Sequence, residues 1–270
     1  MFEQLLSQCW ANYKESKCCH NNENICNCYH CLYEGFYSYS DEYDCEKKLL
    51  FYVLNYGASY ISEFYHYLSN SQLLNNFKGN LNVLSLGCGF SPDYYALSKY
   101  IFDNNLDIQL SHFGIDISDC WDKARLNQSN IKYDKADLTD ITNPLSFQGY
   151  DLITVNKIFS SLYRPDQGDY LPFIQNIGNA INTSMQKGST LVFNDINSRY
   201  KGRDAFDMII SRYFENIRRY YTGDPPGNPP YIGKGWISIP QRDIIYSIGN
   251  YEHVSPYTSV TKTVFFEYRK

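Results

Sequence analysis

No stretch of the 270-residue sequence holds the ~18 consecutive apolar residues that cross a bilayer. Its first residues, MFEQLLSQCWANYKESK, lack a basic start followed by an apolar run and a small-residue cleavage site. A cytoplasmic protein without a membrane partner is therefore expected. Charged residues are only 20% of the chain, and the net charge of −5 is the wrong sign for a general nucleic-acid binder. No DNA partner is expected, and RNA would need a local basic patch. Hydrophobic residues at 43% exclude disorder. Internal repeats and low-complexity linkers are absent, so the length suits one large core with an appended segment.

What the chain does have is unevenly placed. Before residue 49 there are eight acidic and four basic residues, against 21 and 20 afterwards. The same segment holds seven of the nine cysteines. Cys28 and Cys31 form a C-x-x-C knuckle and Cys45 follows it, which suits a tetrahedral structural zinc that orders a loop lacking its own core. Cys19 and Cys26 are the candidates for the fourth ligand, with Cys18, His20 and His30 as alternatives. Residues 1–48 are accordingly read as a cysteine-rich, metal-stabilised loop segment, and residues 49–270 as the main domain. Tyrosine, 27 residues, is attributed to AT-rich coding rather than to chemistry.

Apolar residues at Leu50, Val53, Leu54, Ala58, Ile61 and Phe64 mark an amphipathic helix over 46–68. After it, strands are predicted over 83–86, 111–117, 130–136, 150–155 and 189–193. Helices are predicted over 119–127, 170–185 and 204–221. This alternation specifies an α/β fold, a doubly wound and mostly parallel sheet covered on both faces. Segments 242–248 and 259–268 read as two strands with no helix between them, so the sheet should close with an antiparallel pair.

The first strand breaks into Gly87-Cys88-Gly89-Phe90-Ser91-Pro92-Asp93, where missing Cβ atoms let a ligand approach the backbone. Ser91 is read as the N-cap of the next helix and Pro92 as its first residue. Asp116 ends the second strand and can accept both hydroxyls of a ribose, or else cap a helix. Asp137 ends the third, where it can read an adenine amino group or form a turn. The third glycine of a dinucleotide fingerprint is replaced by Pro92, and Asp93 opposes a pyrophosphate, so a nucleoside without phosphates fits better than a nicotinamide or flavin cofactor.

VLSLGCGFSPD, HFGID, KADL, YDLITVNKIFSSL and STLVFND, in that order, resemble the successive motifs of class I S-adenosylmethionine-dependent methyltransferases over residues 81–270. The resemblance implies a seven-stranded sheet with an antiparallel last strand, and S-adenosylmethionine as cofactor. It places Gly87 and Gly89 under the methionine part, Asp116 on the ribose, Asp137 and Leu138 beside the adenine, and Asn156 at the sulfonium end. Where the family often carries an acid the chain has Ser85, and Asp93 is expected to take over the cofactor's amino group. The function so implied is methyl transfer, the alternative being an inactive methyltransferase-like binding protein. No catalytic residue is assigned, since methyl transfer demands alignment more than a base; His253 is a conceivable one.

Two features bear on the acceptor. Asn228-Pro229-Pro230-Tyr231 spells a signature of amine methyltransferases but follows the fifth strand rather than the fourth, so it is read as a loop over the substrate side. Arg199, Lys201, Arg203, Arg212, Arg218 and Arg219 are read as a basic helix face. That face makes RNA the preferred acceptor, ahead of a protein or a small molecule. Asp195 is left as either a substrate contact or a turn residue.

Overall fold

The computed structural model describes residues 1–17, 28–38, 43–168, 170–226, 235–240 and 243–270. Among the described residues eight strands form one sheet: β1 (Gly79–Leu86), β2 (Ile108–Asp116), β3 (Ile131–Lys135), β4 (Leu152–Asn156), β5 (Thr190–Ile196), β6 (Asn216–Tyr221), β7 (Trp236–Ser238) and β8 (Thr263–Arg269). Their spatial order is β3-β2-β1-β4-β5-β8-β6-β7. β8 runs antiparallel to both β5 and β6, and the remaining pairs are parallel. The expected α/β sheet with an antiparallel last strand is present, with a short eighth strand, β7, added at the edge beyond the seven expected.

The helices are α1 (Phe2–Glu15), α2 (Cys28–Ser38), α3 (Glu46–Asn70), α4 (Pro92–Asp103), α5 (Phe159–Leu162), α6 (Tyr170–Thr183) and α7 (Arg203–Ile210). Successive strand side chains point to opposite faces, and the central strands divide accordingly. Leu81, Val83, Leu152, Val192 and Phe265 enter one apolar core with α1, α3 and α4. Leu84, Leu86, Ile153, Val155, Leu191, Phe193 and Phe266 enter the other with α6 and α7. The sheet is thus buried on both sides, as its near-continuous apolar strands require.

The described part of residues 1–48 is largely helical rather than a loop module. Phe2, Leu5, Leu6 and Cys9 of α1 are fully buried against α3, and Cys28 of α2 belongs to the same core. Phe2 reaches the α3 backbone because residue 57 is glycine: a Cβ there would lie 2.9 Å from Phe2 Cζ. Buried Lys47 donates to the carbonyls of Tyr13 and Ser16, both at 2.7 Å, and so ties down the C-terminus of α1, where a cation is favoured. Among the described residues no group of three or more His, Cys, Asp or Glu is placed to hold a metal. Cys28, Cys31 and Cys45 therefore do not gather as zinc ligands; Cys28 and Cys45 are buried instead. Cys18, Cys19, His20 and Cys26 lie outside the described residues, as does the 228–231 signature.

Several local expectations shift. The helix read over 119–127 is a 3₁₀ turn over Asp119–Ala124, and that read over 204–221 splits into α7, a second 3₁₀ turn and strand β6. The apolar spacing of 206–214 continues into Ile217 and Tyr220, and in that stretch periodicity alone does not separate helix from strand. The described part of the strand predicted over 242–248 reduces to one antiparallel bridge, Asp243 with Ser259, and β8 takes β5 and β6 as its antiparallel partners instead. No helix among the described residues is long and apolar enough to cross a membrane.

Candidate active site

β1 and β4 are neighbours, and from them the chain winds outward in opposite directions, to β2 and β3 on one side and to β5 on the other. A crevice opens beyond the carboxyl ends of strands at such a reversal. It holds a cavity of about 290 Å³, walled by the glycine turn, the ends of β2 and β4, and the loop after β3. Gly87, Gly89, Asp116, Asp137, Leu138 and Asn156 all line it.

The turn is built for close approach. Gly87 and Gly89 have φ of 63° and 51°, and a Cβ on Gly87 would lie 2.3 Å from Ile158 Cδ1. Asp116 braces it: Oδ2 accepts from Gly89 N at 2.8 Å and Oδ1 from Ser118 N at 3.0 Å. A carboxylate has about four acceptor sites, so about two remain on this cavity-lining residue for other donors. Arg125 Nε donates to Gly89 O at 2.8 Å and lies over the Tyr133 ring, holding the turn from behind. Ser91 occupies the N-cap position of α4 as expected, but with a left-handed φ of 63° and no side-chain cap bond; Pro92 begins the helix. Burial pushes the Cys88 thiol up to about 12, so it is no nucleophile.

Asp93 is not at the cavity. It is fully buried under the turn, where Oδ2 accepts from Thr154 Oγ1 at 2.5 Å and lies 3.3 Å from His112 Nε2. Burial pushes its carboxyl up, but His112 and the hydroxyl donors outweigh this and hold it below the ordinary value. Its expected hold on a cofactor amino group is thus replaced by a structural one. Asp137 lines the cavity yet also forms the alternative turn, with Oδ1 accepting from Thr139 N at 2.8 Å and Thr139 Oγ1 at 2.7 Å. Asn176 of α6 fixes this loop by donating to the Leu138 and Asp140 carbonyls, both at 3.0 Å.

Asn156 ends β4 with its side chain 6% exposed, and neither its amide nitrogen nor its amide oxygen has a hydrogen-bond partner. The next residue, Lys157, takes a left-handed φ of 56° and turns its ammonium to Glu63 Oε2 at 2.7 Å and Thr263 Oγ1 at 3.0 Å. Sequence reading missed Lys157, along with the aromatic wall of Trp121, Tyr43, Tyr52 and Tyr60. The available signal was tyrosine at positions 52, 56 and 60, one helical turn apart on a single face of α3. Tyr52 and Tyr60 line this cavity, which gives these two rings a place in the site beyond coding bias. Ser118 Oγ donates to the Tyr43 carbonyl, tying the segment before α3 to the cavity rim.

Other expectations fall outside the site. Asp195 lies within β5, paired with Val264 of β8, and is buried with Ser160 N donating to it at 2.9 Å, so it is neither a turn residue nor part of the cavity wall. His253 is 84% exposed and pairs with Glu252. The six basic residues form no helix face: Arg199 and Lys201 lie on a 3₁₀ turn, Arg203 begins α7, Arg212 lies on another 3₁₀ turn, and Arg218 and Arg219 are on β6. Arg219 is buried, bonding Asp207 through Nε at 3.0 Å and a second nitrogen at 3.1 Å. The RNA preference built on that face loses its basis.

Known structures agree with this architecture. A class I S-adenosylmethionine-dependent methyltransferase from Listeria monocytogenes superposes with a TM-score of 0.51 at 10% identity, covering 99% of this chain and 88% of its own. The chain has the class I methyltransferase fold. A plantazolicin methyltransferase in complex with SAH gives 0.49 at 14% identity, covering 100% and 99%. A TehB-like S-adenosylmethionine-dependent methyltransferase from Corynebacterium glutamicum gives 0.43 at 13%, covering 90% and 96%. No family model matches the sequence, and no curated protein does.

Proposed function

We propose that the chain binds S-adenosylmethionine in the cavity at the β1–β4 reversal and transfers its methyl group. The observation that carries this reading is the Asn156 amide, buried in the wall of that cavity with both polar atoms unpartnered. Leaving such an amide unpaired costs about 1–3 kcal/mol, and a polar ligand removes the penalty. The other walls suit the rest of that cofactor. Gly87 and Gly89 admit its methionine part, Asp116 retains acceptor sites for ribose hydroxyls, and Leu138 with Asp137 flanks the adenine. The indole of Trp121 adds a flat apolar surface on the same side. When bound, the sulfonium supplies an electrophilic methyl carbon, and the chain's own task is to align an acceptor behind it. Zinc has no part in this reading.

Calorimetry with S-adenosylmethionine and S-adenosylhomocysteine tests the proposal. Both should bind, and Asp116→Asn should weaken both by roughly 10- to 100-fold, the worth of a hydrogen bond to a charged group. Failure of both compounds to bind the wild-type chain would refute the cofactor assignment.

A further inference from the structure

A second cavity of about 410 Å³ adjoins the first, and Tyr43, Tyr52, Tyr60, Lys157 and Ser161 line both. Its volume is that of a small-molecule site. One wall is aromatic. Tyr56 stacks on Tyr60 with ring centres 5.6 Å apart and planes 11° apart, and Tyr257 lies 4.9 Å from Tyr56. Burial and neighbouring phenols keep the Tyr52 and Tyr60 hydroxyls well above their ordinary value, so these rings stay neutral. Flat neutral faces of this kind receive a flat ligand.

The charged groups on the wall have one sign. Lys48, Lys157 and Lys262 line the cavity, and their carboxylate partners Asp44, Glu63 and Asp224, at 3.7, 2.7 and 2.6 Å, stand outside its lining, so among the described residues only cations face the space. A tyrosine cage alone would suit a cation, but three ammonium groups oppose one. Lys157 stands where the two cavities meet. Its ammonium ion-pairs with Glu63 at 2.7 Å, donates to Thr263 Oγ1 at 3.0 Å and lies 5.0 Å from the centre of the Tyr60 ring. Because it lines both cavities, a ligand atom at their junction can lie against it.

We infer that this second cavity is the acceptor site, and that the acceptor is a small planar aromatic molecule whose ionised ring hydroxyl lies against Lys157 Nζ. This rests on the cofactor reading above. In the transfer one carbon–sulfur bond breaks and one carbon–oxygen bond forms, the electron pair of the broken bond staying on sulfur. The acceptor enters as an oxyanion, having released its proton to water on binding, so no base is required within the step. Lys157 favours the oxyanion and positions it.

4-Nitrophenol is a direct probe, because its visible absorption reports its ionisation. It would be titrated with the full chain, with and without saturating S-adenosylhomocysteine, beside neutral nitrobenzene and cationic phenyltrimethylammonium. The phenolate should bind at least tenfold more tightly than either, and its ionisation should move to lower pH on the protein. Lys157→Met should erase about tenfold of that preference while S-adenosylhomocysteine still binds. Because this change strands the buried Glu63, the double variant Lys157→Met with Glu63→Gln provides a neutral pair with the same prediction. Tyr56→Ala should weaken phenolate and nitrobenzene alike. Equal binding of the three probes, preference for the cation, or indifference to both Lys157 variants would overturn the inference. If S-adenosylhomocysteine binds and the phenolate does not, only the acceptor assignment fails. If S-adenosylhomocysteine does not bind, the cofactor reading fails, and the titration without it still decides whether this cavity selects a phenolate.

Discussion

Asn156 is stationed where an apolar side chain would serve folding better. Its amide is buried without partners, while Leu of similar volume would leave nothing unsatisfied. Asn156→Leu should therefore stabilise the ligand-free chain by about 1–2 kcal/mol and abolish binding of S-adenosylhomocysteine. Denaturant titration and calorimetry on the same sample check the two halves. A less stable variant that still binds would show that the amide is held by contacts within the protein. Lys157 shows the same economy of position: its left-handed backbone, rarely adopted by a β-branched or bulky residue, swings the side chain from the end of β4 across to Glu63 on α3.

At the scale of elements, α3 links α1 and β8 to the walls of the two cavities. One side of it receives α1, with Phe2 against Gly57, and Tyr67 on another side stacks on Phe265 of β8 at 4.5 Å. The Tyr67 hydroxyl donates to buried Glu267, and Glu63 accepts from Thr261 N and Oγ1. With those ties, α3 presents Tyr52, Tyr56 and Tyr60 to the cavities on a rigid support. Helix α1 is part of that support, and Phe2→Ala should lower stability by about 3–5 kcal/mol, the usual cost of emptying a buried phenyl site. The shift in denaturant midpoint measures it. An unchanged midpoint would mean that α1 does not dock on α3 in solution.

For the whole molecule, ligand binding and folding are linked. A ligand that binds only the folded chain, at 100 times its Kd, adds about 2.7 kcal/mol. For a chain of this size that corresponds to a rise in Tm of roughly 5 °C. S-Adenosylhomocysteine should produce this rise in the wild type and none in Asn156→Leu, as followed by thermal unfolding. A rise of the same size in both would place the ligand away from Asn156.

Much of this molecule was determined by residue order alone. Apolar runs of five to seven residues alternating with amphipathic stretches require a parallel sheet covered on both faces, whatever their partners. Glycines at 87 and 89 and carboxylates closing the next two strands are local features, so Gly87, Gly89, Asp116 and Asp137 were legible as one site before their positions were known. Tertiary structure alone decided the rest. Asp93 reads as a first-turn acid, yet its neighbours His112 and Thr154 are 19 and 61 residues away, and only the sheet brings them together. The basic residues of 199–219 look alike in sequence, but pairing of β6 with β8 buries Arg219 against Asp207 and dissolves the expected face. The tyrosines of α3 gain meaning only when Lys157 and Tyr257 arrive beside them. Periodicity records which face of an element is apolar, whereas a binding site is made by groups from distant elements, and their approach is set by packing.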